Sequence, residues 1–551
     1  MKKLFTLAFL CVFALGAFAQ ELGEVDSSFG TDGTFVFHPS KENKFGYFDK
    51  VYKVLVQEDG KILTVGESRT DGYNYSIYVS RHNVDGSLDE TYGEGGIVFL
   101  KVDPLIYKNC PYDAVLSEDG LLYITGYAFN GSNATAGFIL CLDENGFEYE
   151  DFGESGWVVT ELDQYGLVYE AIDIDSKGRC VVAGYYNDEI IVRRFTKKGL
   201  LDVTFGNEGT ASVELDSDPS AHSYAFDIKV LEDGKIILCG DKRLGNADEG
   251  MFIRSHIIRL KSNGTLDETF AENGVLYLYA GEYAEFALSL AVQPNGKYLV
   301  GGHAELFSET PEMPRYESFI TRVNVDGTID ETFGTEGFVK MEPLQGDGRI
   351  NNSYSILAAP DGQIFGTIYS RDIATEMFRA YVYNLDENGQ FKEDFAGSGI
   401  APLPKVYDEQ DEIDTYSIAL QGNDKLIVAG YASYDDPDEP GPGDYTKIYL
   451  TRIHVAVEGN GNDENDTTSV VGNYENRFEI HPNPATTTIS IEGALNDNAQ
   501  VSIIDLTGRC VKEVVISSAV SSINIEDVES GVYFISVKQN ENNYVEKLVI
   551  K

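Results

Sequence analysis

Residues 223–280 read SYAFDIKVLEDGKIILCGDKRLGNADEGMFIRSHIIRLKSNGTLDETFAENGVLYLYA. The segment divides into four β-rich runs. SYAFDIKVL is expected to be a strand, and EDG a turn in which Gly supplies the positive φ. KIILCG is a second strand. After a loop, FIRSHIIRL is a third, KSNG is another turn, and LDETFAENG leads into VLYLYA, the fourth. Short runs of β-branched and aromatic residues broken by Gly, Asn and Asp are strand and turn signals.

Two phrases of this segment recur along the chain. The first is found at 25–33 (VDSSFGTDG), 88–96 (LDETYGEGG), 148–156 (EYEDFGESG), 201–209 (LDVTFGNEG), 266–274, 329–337 (IDETFGTEG) and 391–399 (FKEDFAGSG), with its aromatic at Phe29, Tyr92, Phe152, Phe205, Phe270, Phe333 and Phe395. The second runs from QEDGKILTVG at 57–66 to the looser QGNDKLIVAG at 421–430. A fixed period of this length means a repeat architecture. Four strands per unit, arranged radially, make a β-propeller blade. A β-solenoid would need shorter repeats.

The ends of the array predict a closed ring. The repeats begin with a turn phrase and a fourth-type strand at Thr34 to His38, which has no earlier partners. They finish at 414–457 with the first three strand types and no fourth. The N-terminal strand therefore fits as the outer strand of the last blade, which removes a free edge. The expected fold is all-β: a seven-bladed β-propeller over 20–457.

An Arg–Asp pair varies together within the repeat. Arg81, Arg194, Arg259 and Arg322 stand five residues before a turn Gly, and Asp89, Asp202, Asp267 and Asp330 stand three before the phrase aromatic. One unit has Cys141 and Tyr149 at these places, another Asn384 and Lys392. In the last unit Arg452 would find its acid only across the closure, in Asp26. These are read as structural ion pairs, because the Arg fork can grip a carboxylate with two hydrogen bonds.

The LDxTFGxxG and xxDGKIxxxG phrases resemble the delta-60 repeat family over residues 22–457. That resemblance implies a β-propeller of bacterial secreted proteins, and no established reaction. The unit at 148–156 lacks the Leu-Asp start, and 391–399 carries Lys392 in the Asp position.

The flanks describe an export route. Lys2 and Lys3 precede an apolar run from Leu4 to Leu15, and Ala17-Phe18-Ala19 follows. This is the pattern of a signal peptide at 1–19, cut between Ala19 and Gln20. The acidic, Gly- and Asn-rich stretch 458–473 is expected to be a flexible linker. Alternating runs return over 474–551, predicting a small β-sandwich. His481-Pro482-Asn483-Pro484, Asp505 to Arg509 with Gly508 at the turn, Gly531-Val532-Tyr533 and the closing Lys547 to Lys551 are similar to the type A sorting domain of the type nine secretion system. The resemblance implies a Bacteroidota-type export route, contact with the secretion machinery, removal of the domain, and attachment of the passenger to surface lipopolysaccharide.

Asp plus Glu number 90 against 42 Lys plus Arg, a formal charge of −48. That balance argues against nucleic acid and anionic membrane surfaces, which need a basic face. No segment after the leader is apolar enough to predict membrane insertion. Cys110, Cys141, Cys180, Cys239 and Cys510 are scattered and odd in number, so no disulfide framework is expected. No GxSxG, HExxH or Walker loop is present. Turns such as Asp173 to Gly178 and Asn324 to Asp330 offer oxygen ligands to Ca²⁺, yet lack the terminal Glu of an EF-hand, and no cofactor is expected. With no catalytic motif, the leading expectation is a non-catalytic exported propeller that binds a protein or glycan partner through its channel mouth and the variable loops 303–318, 341–352 and 431–446. The rival is a carbohydrate-active enzyme with two carboxylates at the mouth, one of raised pKa. Trp157 is the one Trp, but 34 Tyr could line a sugar site instead.

Overall fold

The computed structural model describes residues 21–457 except 41–47, 72–73, 104–105, 133, 163–165, 216–221, 245–251, 282–283, 307–314, 342–350, 353, 372–377, 407–411 and 435–444. It also describes 479–550 except 482–484, 493–498, 506–508, 517–519, 526–527, 529–530 and 540–541. The chain divides into two units, Met1–Gly461 and Asn462–Lys551. All regular elements among the described residues are β-strands.

In the first unit the runs of 223–280 become strands His222–Val230, Ile236–Leu244, Phe252–Leu260 and Val275–Tyr277, antiparallel and adjacent in chain order. The same order recurs from Val168 to Val213 and from Glu285 to Met341. Two further sets, from Asp49 to Leu100 and from Lys108 to Val159, touch through one parallel bridge, Tyr75 to Lys108. In the last set Glu412–Gln421, Lys425–Tyr434 and Tyr445–His454 are completed by Thr34–Phe37, with Thr34 opposite Thr451 and Phe37 opposite Ile448. The molecule is thus all-β, a β-propeller of four-stranded sheets.

The Gly that ends the second phrase has a steric cause. Opposite it, the first strand slips register by one residue in six sets, as between Val51 and Lys53 or Ala225 and Asp227. A β-bulge of this kind leaves one extra residue on the bulged strand. A Cβ at Gly240 would run into the Tyr224 carbonyl oxygen, and one at Gly66 into that of Lys50. The unit at 359–368 carries Ile368 at the Gly place, and there the first strand is divided into Asn351–Asn352 and Ile356–Ala358.

First strands touch in cyclic order: 49–56, 108–116, 168–174, 222–230, 285–292, 356–358, 412–421 and back to 49–56. Apolar side chains fill the space between neighbouring sheets. Ala171, Val192, Phe205, Ile228, Leu238 and Ile258, for example, form one buried cluster across two sets. Burying a side chain such as Phe205 contributes roughly 1.5–3 kcal/mol.

The second unit has two sheets. Glu479–His481, Thr488–Glu492 and Val520–Asn524 form one; Cys510–Ile516, Ala499–Asp505, Gly531–Gln539 and Asn542–Ile550 form the other. Ile489 and Ile523 of the first share a core with Val501, Ile503, Ile535 and Leu548 of the second. Gly531 lies opposite Ile550, Tyr533 opposite Leu548 and Asp505, and Lys547 opposite Phe534. Ala19, Gln20, the stretch 458–473, Pro482, Asn483, Pro484, Gly508 and Lys551 lie outside the described residues.

Candidate functional site

Both turn phrases lie at one face of the propeller, because they join first strand to second and third to fourth. The Arg–Asp pairs are found there. Arg Nε to Asp Oδ2 is 2.8 Å in Arg81–Asp89, Arg194–Asp202 and Arg259–Asp267, 2.6 Å in Arg322–Asp330 and 2.9 Å in Arg452–Asp26. The last pair is separated by 426 positions in the chain. Each guanidinium also lies 4.6–4.9 Å from the centre of the phrase aromatic: Tyr92, Phe205, Phe270, Phe333 or Phe29.

A third partner was not legible in the repeat. Nη1 of each Arg donates to a carbonyl of the next blade: Arg81 to Glu144 and Arg194 to Ser262 at 2.6 Å, and Arg259, Arg322 and Arg452 to Val325, Glu387 and Val84. The pair therefore ties blade to blade. The cation after the turn Gly adds to it, since Lys61, Arg179, Lys235 and Lys297 reach the same carboxylates at 2.7–3.1 Å. Units without the Asp have Leu121 and Gln363 there. Gln363 instead accepts a hydrogen bond from Asn384 at 3.0 Å, a neutral replacement for the pair.

Burial alone would raise these Asp. Hydrogen bonds from the Ser or Thr two residues on, together with the cations, outweigh it and hold all five below the ordinary carboxylate value. Such carboxylates are charged and fully engaged, which suits structure and not chemistry.

The connections from second to third and from fourth to first strand leave from the opposite face; most of the length of the variable loops 303–318, 341–352 and 431–446 lies outside the described residues. Here the bulges matter. They place Tyr52, Tyr112, Glu170, Phe226 and Tyr416 at equivalent points of successive first strands. The rings of neighbouring strands meet at the axis, with Tyr52 to Tyr112 at 5.8 Å, Tyr52 to Tyr416 at 5.7 Å and Tyr354 to Tyr416 at 5.1 Å. Nearer the loops stand Tyr127, 5.5 Å from Tyr112, Tyr431, 5.8 Å from Tyr416, and Tyr185, 4.7 Å from Tyr224. All are only partly buried. Edge-on and stacked rings at these distances attract one another and hold the wall in shape.

Four carboxyls share this mouth. Glu67 accepts from Tyr52 Oη at 2.9 Å and pairs with Lys108 at 3.3 Å. Asp241 pairs with Arg243 at 3.2 Å, yet burial pushes it up to about 6. Asp414 accepts from Tyr431 Oη at 3.3 Å, and burial pushes it to about 6 against Tyr416, Tyr431 and Lys50. Glu170 has no cation and no hydrogen-bond partner among the described residues. Burial and then the Asp241 charge raise it to about 8.

Other features carry less. A groove of about 700 Å³ runs beside Trp157, Ile106, Val159 and Leu162, away from the axis. Among the described residues no group of three or more His, Cys, Asp or Glu is placed to hold a metal. Asp175 and Asp326, in the oxygen-rich turns, instead accept backbone N–H bonds from Lys177, Arg179 and Thr328 at 2.9–3.0 Å. Cys110, Cys141, Cys180 and Cys239 are buried free thiols.

Fold and site define a β-propeller with an aromatic axial mouth. Residues 57–92, 231–270 and 293–333 match a family described as domain of unknown function (DUF5122) beta-propeller. Residues 479–551 match the secretion system C-terminal sorting domain. That tail marks the chain for the type nine secretion machinery, and its destination is the cell surface or the medium. No curated protein matches the chain. Solved structures similar to it include a catalytically inactive virginiamycin B lyase from Staphylococcus aureus (12% identity, 77% of this chain and 99% of that one, TM-score 0.39). The β-propeller domain of the Trilobed protease from Pyrococcus furiosus also matches (10%, 73% and 98%, 0.36). So does PorZ, a surface component of the type-IX secretion system of Porphyromonas gingivalis (11%, 91% and 81%, 0.18). Similarity at this level says nothing about activity.

Proposed function

We propose that the mature chain is a seven-bladed propeller, 20–457, released from a signal peptide, 1–19, and joined by a linker, 458–473, to a C-terminal sorting sandwich, 474–551. The cyclic contact of first strands and the pairing of Thr34–Phe37 with Tyr445–His454 support the blade count. The Arg–Asp pairs are structural staples between blades. The propeller is a non-catalytic binding module, and its partner, a protein or a glycan, docks at the axial mouth. One observation carries this reading. The partly exposed Tyr wall is concentrated where the loops vary, while the turn face spends its charged groups on itself. Aromatic walls with a few polar groups are how concave sites hold ligands.

The raised Glu170 beside Asp241 favours a second reading, a carbohydrate-active enzyme in which Glu170 is the protonated acid. Screening the full chain against glycans, proteins and hydrolysis substrates separates the two. Binding without turnover supports the first; turnover that disappears in Glu170→Gln installs the second. Deleting 474–551 should leave the propeller inside the cell envelope, and continued secretion of the truncated chain would overturn the sorting role.

A further inference from the structure

Among the described residues of the mouth, Glu67, Asp241 and Asp414 each have a cation nearby and Glu170 does not. Lys108 stands on Glu67 at 3.3 Å and Arg243 on Asp241 at 3.2 Å, while Lys50 faces Asp414 and lies 5.1 Å from the Tyr431 ring centre. Glu170 sits between Tyr112 on the preceding first strand and Phe226 on the following one. The titratable groups that face it are Cys110 and Tyr112 on Lys108–Leu116, Tyr185 on Cys180–Tyr186, and Asp241 on Ile236–Leu244. None of them supplies positive charge. Arg243, the cation carried on the same strand as Asp241, lies 4.4 Å from the Tyr224 ring centre and is held by Asp241.

Deepening the binding reading above, on which it rests, we infer that Glu170 and the rings of Tyr112 and Tyr185 form a subsite for a cationic group, an alkylammonium such as a lysine side chain of the docking partner. A carboxyl enclosed by aromatic rings has two ways to lower its free energy, by keeping its proton or by taking a cation. Aromatic faces add attraction for the cation, and the attraction is larger when water is displaced. A sugar would use the same rings but would gain nothing from the missing counter-charge.

The inference fixes a pH dependence. The ammonium pairs with ionised Glu170, and the free group titrates near 8. About a tenth of it is ionised at pH 7 and about nine-tenths at pH 9, so apparent affinity should rise about tenfold over that interval. An alkylammonium stays protonated throughout.

The test is calorimetric titration of the full chain with n-butylammonium chloride and, in parallel, with neutral n-butanol, at pH 7 and pH 9. Expected are binding of the ammonium with close to one proton released at pH 7, a gain of about tenfold by pH 9, and butanol weaker than the ammonium. Glu170→Gln should abolish both the proton release and the pH dependence. Equal affinity for butanol, an unchanged Glu170→Gln, or ammonium binding with no proton release would each overturn the subsite. Should the ammonium not bind while a neutral oligosaccharide does, the cation subsite falls and the binding reading stands. Should neither these nor any protein bind, both fall.

Discussion

On the turn face, Arg259 meets Asp267 at 2.8 Å above the Phe270 ring, with Lys235 and Thr269 on the same carboxylate. On the loop face, Glu170 lies among tyrosines with no counter-ion among the described residues. The two faces are built from the ends of the same strands. One is repeated almost unit by unit and satisfies its own charges; the other changes from blade to blade and leaves groups unsatisfied. The stabilising pairs and the proposed binding mouth thus lie at opposite ends of the propeller. That separation lets the mouth vary without loosening the ring.

The contrast can be broken most sharply at the staples. Arg259→Ala should cost about 2–3 kcal/mol in urea unfolding: Lys235 and Thr269 stay on Asp267, and the loss is that of the charge-assisted bonds to Asp267 and to the Val325 carbonyl. Asp26→Ala should cost a similar amount and also expose the clasp, seen as faster amide exchange over Thr34–Phe37. A loss below about 1 kcal/mol would place these pairs with ordinary surface bridges and erase the distinction between the faces.

Gly240→Ala ranks next. Its Cβ would meet the Tyr224 carbonyl at the bulge, so a loss of about 1–3 kcal/mol is expected, as for other overpacked sites. The same substitution should also shift ligand affinity at the mouth, because the bulge carries Phe226 into it.

Acid and base should act on the faces in opposite directions. Asp267 holds its proton less tightly folded than unfolded, so its contribution is present above about pH 4 and is lost as pH falls through the folded value. Glu170 holds its proton more tightly when folded, near 8, so stability falls as pH rises from about 4 toward 8. Melting curves should therefore show Glu170→Gln more stable than the parent at pH 8 and equal to it at pH 4. A variant that is less stable at pH 8 would mean that Glu170 has a cation partner after all.

The smallest effect is expected where nature has already removed a staple. Asn384→Arg combined with Lys392→Asp should change stability by no more than about 1 kcal/mol, since the gain of a buried pair nearly cancels its desolvation. A large gain would show that the Gln363–Asn384 contact is a defect and not a neutral substitute.

Much of this was legible in the chain. LDETF and EDGKI fixed strand number, turn chemistry and period, because local hydrogen bonding and positive φ constrain which residues can stand there. The Arg–Asp pairing showed through covariation among units, and even Asp26 with Arg452 followed from where the array starts and stops. The sorting tail was carried by His481 to Pro484, Gly531 to Tyr533 and Lys547 to Lys551. Three features became visible only in three dimensions. The second phrase's last Gly fell inside a run read as a strand, with nothing in the run to explain it, and it is there because a bulged neighbour crowds it. The Arg reaches the next blade's carbonyl, a contact 63–68 residues away, or 368 for Arg452, that no single repeat contains. Glu170 was one acid among ninety. Only the folded ring shows that its described neighbours bring rings and another carboxylate and no cation, because charge compensation is a property of what surrounds a group in space, and local sequence encodes the strand but not the company it keeps.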